Sequence, residues 1–222
     1  MKKFISLLLT SLLWHLPVLA QDKFEGPYGG IAIGYIDAKD HGKEIEFLYP
    51  STWEQKNEPN GASISANLGF NKVLDNKILI GIEGSLEKNF SSDKVYQEEF
   101  GTTDSCCTVK SDLKESAYIG GRLGKIFNDD ILVYLSAGRA FKHIKRNFND
   151  RSVSESHTDK LWQSDWYYGA GLEKYLNDHL SLVFDYKRVN LGERTYYGFP
   201  NWGIEKHDYK ENNFKIGINY HF

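Results

Sequence analysis

The sequence predicts an all-β chain, an eight-stranded antiparallel transmembrane β-barrel with short periplasmic turns and four long extracellular loops. Three observations predict it. The first residues look like an export address, stretches of about ten residues alternate apolar and polar side chains, and the connections between those stretches alternate short and long.

The export address comes first. Lys2 and Lys3 precede an apolar run from Phe4 to Trp14, and the segment closes on Pro17-Val18-Leu19-Ala20. Small residues at Val18 and Ala20 mark a cleavage site, so residues 1–20 are expected to be a secretory signal peptide and residues 21–222 the barrel domain. The run is too short to span a bilayer as a helix. With 27 basic and 30 acidic residues the chain has a net charge of −3, which speaks against nucleic acid as a partner.

The last strand alternates most cleanly. Phe214, Ile216, Ile218, Tyr220 and Phe222 are apolar, and Lys215, Gly217, Asn219 and His221 stand between them. A side-chain period of two puts the first five on one face of a strand. Ala62, Ile64, Ala66, Leu68 and Phe70 repeat the pattern, as do Ile78, Ile80, Ile82 and Leu86 against Gly81, Glu83, Ser85 and Glu87. Further strands are expected at about 115–125, 131–141, 164–175 and 180–190, and a glycine-rich first strand at 28–36 completes eight.

Three connections are short, at 71–77, 128–130 and 177–179, and are built from Asn and Asp, which tolerate tight turns. Four are long and polar, at about 37–60, 89–114, 143–163 and 191–210. An even strand count then leaves both termini on the periplasmic side. A weak internal repeat supports successive hairpins, since residues 123–131 and 171–180 each run from a strand end through an Asn/Asp turn to an apolar restart. A closed sheet of such hairpins leaves no unpaired backbone at the lipid boundary.

An eight-stranded barrel is just wide enough for side chains to fill it. Alternation points Glu83, Glu87, Arg122, Glu173, Asp185, Lys187 and Lys215 inward, where acids and bases are expected to pair with one another rather than form a selective ion pathway. Tyr28, Tyr35, Phe70, Phe127, Phe141, Trp162, Trp166, Tyr175, Tyr186 and Tyr220 lie near strand ends and are expected at the membrane boundary. A second aromatic set, Phe47, Tyr49 and Trp53 in the first loop and Tyr196, Tyr197, Phe199 and Trp202 in the last, suits either binding of a partner or packing of the loops.

Cys106 and Cys107 are adjacent in the second long loop. Export permits a disulfide, and free thiols, pairing between chains and a labile vicinal bridge all remain open. Two thiols with no nearby His supply too few ligands for a zinc site, so neither metal nor cofactor is expected. Ser154, Glu155, Ser156, His157 and Asp159 cluster in the third loop, but no strained nucleophile turn accompanies them, so no enzymatic activity is expected. A soluble lipocalin-like barrel is the other alternative. It needs the opposite polarity, apolar inside and polar outside.

The chain resembles the small outer-membrane barrels of the opacity-protein group, related in architecture to the OmpA membrane domain and OmpX. The resemblance covers residues 21–222 and rests on Phe24-Glu25-Gly26-Pro27-Tyr28-Gly29-Gly30, Gly120-Gly121-Arg122-Leu123-Gly124, Leu132-Val133-Tyr134, Gly169-Ala170-Gly171-Leu172-Glu173, Phe184-Asp185-Tyr186 and Ile218-Asn219-Tyr220-His221-Phe222. It implies residence in the outer membrane among lipid and lipopolysaccharide. It also implies that the terminal pattern ending at Phe222 is a signal read by the barrel-assembly machinery. The role it implies is structural or surface interaction, such as adhesion, immune evasion or envelope integrity, with a host or surface ligand at the loops. A narrow porin-like channel and a lipid-A-modifying barrel enzyme are the alternatives within such architectures.

Overall fold

The computed structural model describes residues 22–46, 52–151, 155–197 and 203–222. Nine strands follow in order: β1 (Gly26–Glu46), β2 (Thr52–Asn57), β3 (Gly61–Leu74), β4 (Ile78–Glu99), β5 (Thr102–Phe127), β6 (Ile131–Asp150), β7 (Glu155–Tyr175), β8 (Leu180–Tyr197) and β9 (Gly203–His221). Each long strand pairs antiparallel with the next, and β1 closes on β9 from Tyr28↔His221 to Glu46↔Gly203. Eight strands therefore form the ring.

Two of the three short turns pass through a left-handed backbone. Asn76 and Lys77 carry φ of 61° and 62°, and Asn128 and Asp129 carry 50° and 60°. At the other end the strands run far past the expected boundaries, and most of the residues expected in long loops are strand. The segment expected as a loop at 89–114 is a β4–β5 hairpin that turns only at Phe100 and Gly101. The physical reason is that apolar/polar alternation ends where lipid contact ends, while ladder hydrogen bonds continue between strands that are polar on their outer face.

Above the apolar band the ring is completed by an insertion on one side and left unzipped on the other. β3 starts at Gly61, opposite Ile36, while β1 continues to Glu46; β2 takes the vacant place, pairing with β1 from Asp40↔Asn57 to Ile45↔Thr52 and with β4 at Trp53↔Glu99 and Glu54↔Glu98. β7 and β8 pair only from Tyr167↔Val189 to Tyr175↔Ser181. Beyond that point their edges share no ladder among the described residues, and a bulge at 190–192, with Gly192 at φ 62°, marks where β8 departs. Arg194 reaches across this seam to Asp165, 3.1 Å away.

Side-chain facing is the reverse of a soluble barrel. Ile31, Leu68, Ile82, Leu86 and Leu135 are exposed to 64–70% on the outside, while Arg122, Glu173, Glu87 and Lys142 are 4%, 0%, 3% and 1% exposed inside. That polarity excludes the lipocalin-like alternative.

Candidate functional site: a filled lumen and an outer extension

The lumen is packed in layers. At the short-turn end Phe24, just before β1, tucks beneath the barrel with Leu79, Ile126, Leu132, Tyr134 and Tyr175, and its ring lies 4.6 Å from that of Tyr175. Above this plug sits Glu173, which accepts hydrogen bonds from Ser181 Oγ at 2.6 Å and Asn219 Nδ2 at 3.0 Å, lies 2.8 Å from His221 Nε2, and pairs with Arg122 at 3.5 Å. Arg122 also approaches Glu83 at 3.5 Å and donates to Asn71 Oδ1 at 3.1 Å.

Arg122 is held between two aromatic rings, with its guanidinium carbon 4.5 Å from the Tyr28 centroid and 4.7 Å from that of Tyr134. Both rings lie against glycine. A Cβ at Gly69 would come within 2.3 Å of the Tyr28 ring, and one at Gly171 within 2.2 Å of the Tyr134 ring. The two hydroxyls then donate to Glu83 at 2.8 Å and Asp185 at 3.0 Å. Lys187 joins the same carboxylates at 3.2 and 3.3 Å.

The next layer pairs Glu87 with Lys215 at 2.6 Å and Lys142 with Glu211 at 2.6 Å. Asn213 Nδ2 donates to both Glu87 oxygens at 2.9 and 3.0 Å, and Tyr118 donates to Glu211 at 3.2 Å. A second apolar layer of Ile36, Leu113, Ile144, Tyr167, Val189, Leu191 and Tyr209 follows. A small, partly open cavity of about 30 Å³ lies beside Glu83, Ser85 and Lys187. Two apolar layers thus lie on either side of the paired charges.

Within the outer extension, Arg146 donates to both oxygens of Asp40 at 2.8 and 2.7 Å, Ser111 donates to Asp40 at 2.6 Å, and His207 stands 3.2 Å from Asp40 and 2.9 Å from Glu205. Burial alone would lower the His207 pKa, but its hydrogen bonds to Asp40 and Glu205 outweigh this and raise it above the ordinary 6.5.

The structure brings Glu83, Glu87, Arg122, Glu173, Asp185, Lys187 and Lys215 together in the lumen. Sequence reasoning missed Lys142 and Glu211, because neither lies in a segment taken as strand, and missed Asp40, Arg146 and His207 for the same reason. Tyr28 and Tyr175, expected at the membrane boundary, face inward at 1% and 6% exposure. Strand parity explains this, since Tyr175 shares a face with Glu173 and Tyr28 lies opposite the outward Ile31, Ile33 and Tyr35. Phe214, Ile216, Ile218, Tyr220 and Phe222 lie outside at 41–67% exposure.

Of the loop aromatics, Phe47, Tyr49, Phe199 and Trp202 lie outside the described residues, Tyr196 and Tyr197 end β8, and Trp53 is in β2 on the face of Gln55 and Asn57, toward the lumen mouth. Cys106 and Cys107 are joined to each other and sit in β5, not in a loop. Asp104 lies beside them, but bridged sulfurs carry no thiolate to hold a metal. Ser154 lies outside the described residues. Ser156 and His157 are neighbours on β7 and point to opposite faces, while His157 pairs with Asp159 at 2.9 Å.

An apolar exterior around a charged, closed lumen is the architecture of a membrane barrel, and residues 5–222 match the outer membrane protein beta-barrel domain model. The chain belongs to that family. This outer-membrane barrel is 24% identical over 209 residues to the 31 kDa outer-membrane immunogenic protein of Brucella melitensis, covering 89% of this chain and 83% of the relative, and matches the Brucella suis protein of the same name equally. Among solved structures the barrel resembles the outer membrane protein OprG of Pseudomonas aeruginosa, with a TM-score of 0.59, 12% identity and coverage of 91% and 98% of the two chains. It also resembles the outer membrane protease OmpT of Escherichia coli, with a TM-score of 0.55, 8% identity and coverage of 90% and 97%. At these identities the structural likeness concerns the fold. The barrel resides in the outer membrane, with its short turns toward the periplasm and its extended hairpins outside.

Proposed function

We propose that this outer-membrane barrel is a surface-interaction protein, working through the strand extension and rim that it raises above the membrane, and neither a pore nor an enzyme. The observation that carries the reading is the lumen, sealed by two apolar layers with interdigitated ion pairs between them. A conducting barrel of eight strands has no room for both side-chain packing and a water column. The Brucella relatives are named for recognition by the immune system, which agrees with a protein whose outer face is presented to a host.

Residues 1–20 act as the signal peptide in this reading, and Phe214, Ile216, Ile218, Tyr220 and Phe222 are the pattern engaged by the barrel-assembly machinery. The loop aromatics singled out in the sequence, Phe47, Tyr49, Trp53, Tyr196, Tyr197, Phe199 and Trp202, are the candidates for contact with a host or surface ligand. The test is binding of folded protein to host cells and matrix proteins, compared with a variant trimmed from Tyr196 to Trp202. The reading expects weaker binding with unchanged heat-shifted gel mobility. Loss of folding in the variant would show that those aromatics are structural, and unchanged binding would remove them from the interaction.

A further inference from the structure

The outer wall of β5, β6 and β7 carries a charge arrangement that the protein itself does not neutralise. Lys145 on β6 and Lys160 on β7 are direct cross-strand partners on the outward face. Like charges in that relation repel, and neither lysine has an ion-pair partner among the described residues. On the adjacent strand, Asp112 is opposite Lys145 but is already held by Lys110 at 2.8 Å and Lys114 at 3.5 Å. Asp112 is thus committed to Lys110 and Lys114 and leaves Lys145 and Lys160 without an ion pair among the described residues.

The position of this cluster identifies what compensates it. Two residues below Lys145 and Lys160 on the same faces, His143 stacks on Trp162 with ring centroids 4.9 Å apart. Trp162 is 63% exposed and marks the outer edge of the lipid-facing wall, so the lysines stand about 7 Å farther along the strands. That is the level of headgroup phosphates. An open apolar hollow of about 960 Å³ is lined chiefly from β1, β3, β4, β5 and β9, by Ile31, Ile33, Ala66, Leu86 and Ile218 among others, and reaches this row only at Trp162 and at Lys88 and Glu115, which pair with each other.

We propose that Lys145 and Lys160, with Lys110 and Lys114 beside them, bind the phosphorylated headgroup of an outer-leaflet glycolipid of the lipid A class, whose acyl chains run down the lipid-facing wall below Trp162. The inference rests on the outer-membrane location and is independent of any ligand at the rim. Phosphate supplies charge-assisted acceptors to several ammonium groups at once.

The experiment titrates bisphosphorylated lipid A into folded protein in neutral detergent. Lys145→Gln/Lys160→Gln is expected to bind at least about tenfold more weakly than wild type, while Lys174→Gln, at the short-turn end, binds as wild type does. Dephosphorylated lipid A is expected to bind wild type as weakly as the double variant binds the phosphorylated form. Equal affinity of wild type and double variant overturns the proposal, as does equal affinity for the two lipids. Displacement of lipid A by the same concentration of inorganic phosphate would overturn the glycolipid assignment in favour of a free-anion site. Where the double variant lacks folded gel mobility, salt decides with wild type alone: affinity falls as ionic strength rises if the lysines carry it, and salt-independent binding contradicts the proposal.

Discussion

Lys142 Nζ lies 2.6 Å from a Glu211 carboxylate oxygen in the middle of the lumen, and the two side chains are 1% and 0% exposed. Neither charge has access to bulk water, so each depends on the other and on Tyr118 and Glu87 nearby. Breaking one side of such a pair leaves a buried charge uncompensated.

Glu211→Leu alone is therefore expected to destabilise the barrel by about 3–5 kcal/mol, whereas Lys142→Met/Glu211→Leu lies within about 1–2 kcal/mol of wild type or exceeds it. Urea unfolding of detergent-folded protein measures both. Equal losses in the single and double variants would show that the pair is not coupled.

The lipid-facing assignment predicts that Ile218→Arg costs roughly 2–4 kcal/mol if residue 218 sits near the midplane. Ile218 is opposite Ile31 across the β1–β9 closure and both project outward. Unfolding titrations in lipid vesicles check this, and an unaffected variant contradicts the facing.

Gly171 makes room for the Tyr134 ring that covers Arg122. Gly171→Val forces the ring away and is expected to cost about 1–3 kcal/mol through overpacking, while Gly121→Ala, whose nearest neighbour to a Cβ is 3.6 Å away, is tolerated. Thermal gel-shift midpoints for the two variants distinguish them.

Within the outer extension, well above the lipid-facing stretch of β9, His207 sits between Asp40 and Glu205 with a pKa raised above 6.5. A raised pKa means that the folded form holds the proton more tightly. The stabilisation is fully present below about pH 6.5 and is lost as pH rises through the folded value. Limited proteolysis of the extension should accelerate across that window in wild type, and His207→Gln should remove the pH dependence. An extension equally resistant at acid and alkaline pH contradicts this.

The seam above Tyr167 and Val189 predicts uneven backbone protection. Amides of β8 in residues 190–197 that face β7 should exchange faster than amides on the β9 side, because only the latter enter a ladder. Removing the Arg194 to Asp165 bridge, a partly exposed pair, should change this by less than about 1 kcal/mol.

The membrane-spanning half of the fold was legible because lipid imposes a period-two code on residues such as Phe214 to Phe222, and the facing of Glu83, Arg122 and Glu173 follows from that code by parity. The same parity places Tyr28 and Tyr175 inside, against the general tendency of strand-end aromatics to mark the boundary. Above the membrane water replaces lipid, the outward residues become Lys39, Lys145 and Lys160, and the hydrophobic period vanishes although the strands continue. Asp40, Arg146 and His207 were hidden for that reason. β2 was hidden because its pairing with β1 and β4 depends on where β3 stops, a property of the assembled ring rather than of residues 52–57.

The sealed lumen is tested most directly by single-channel recording of the folded protein in planar lipid bilayers. The layered packing predicts no discrete conductance above the bare bilayer. Stable unitary steps, altered in size by Lys142→Met/Glu211→Leu, would show that water and ions pass through the lumen, and would contradict the assignment of this barrel as a closed surface protein.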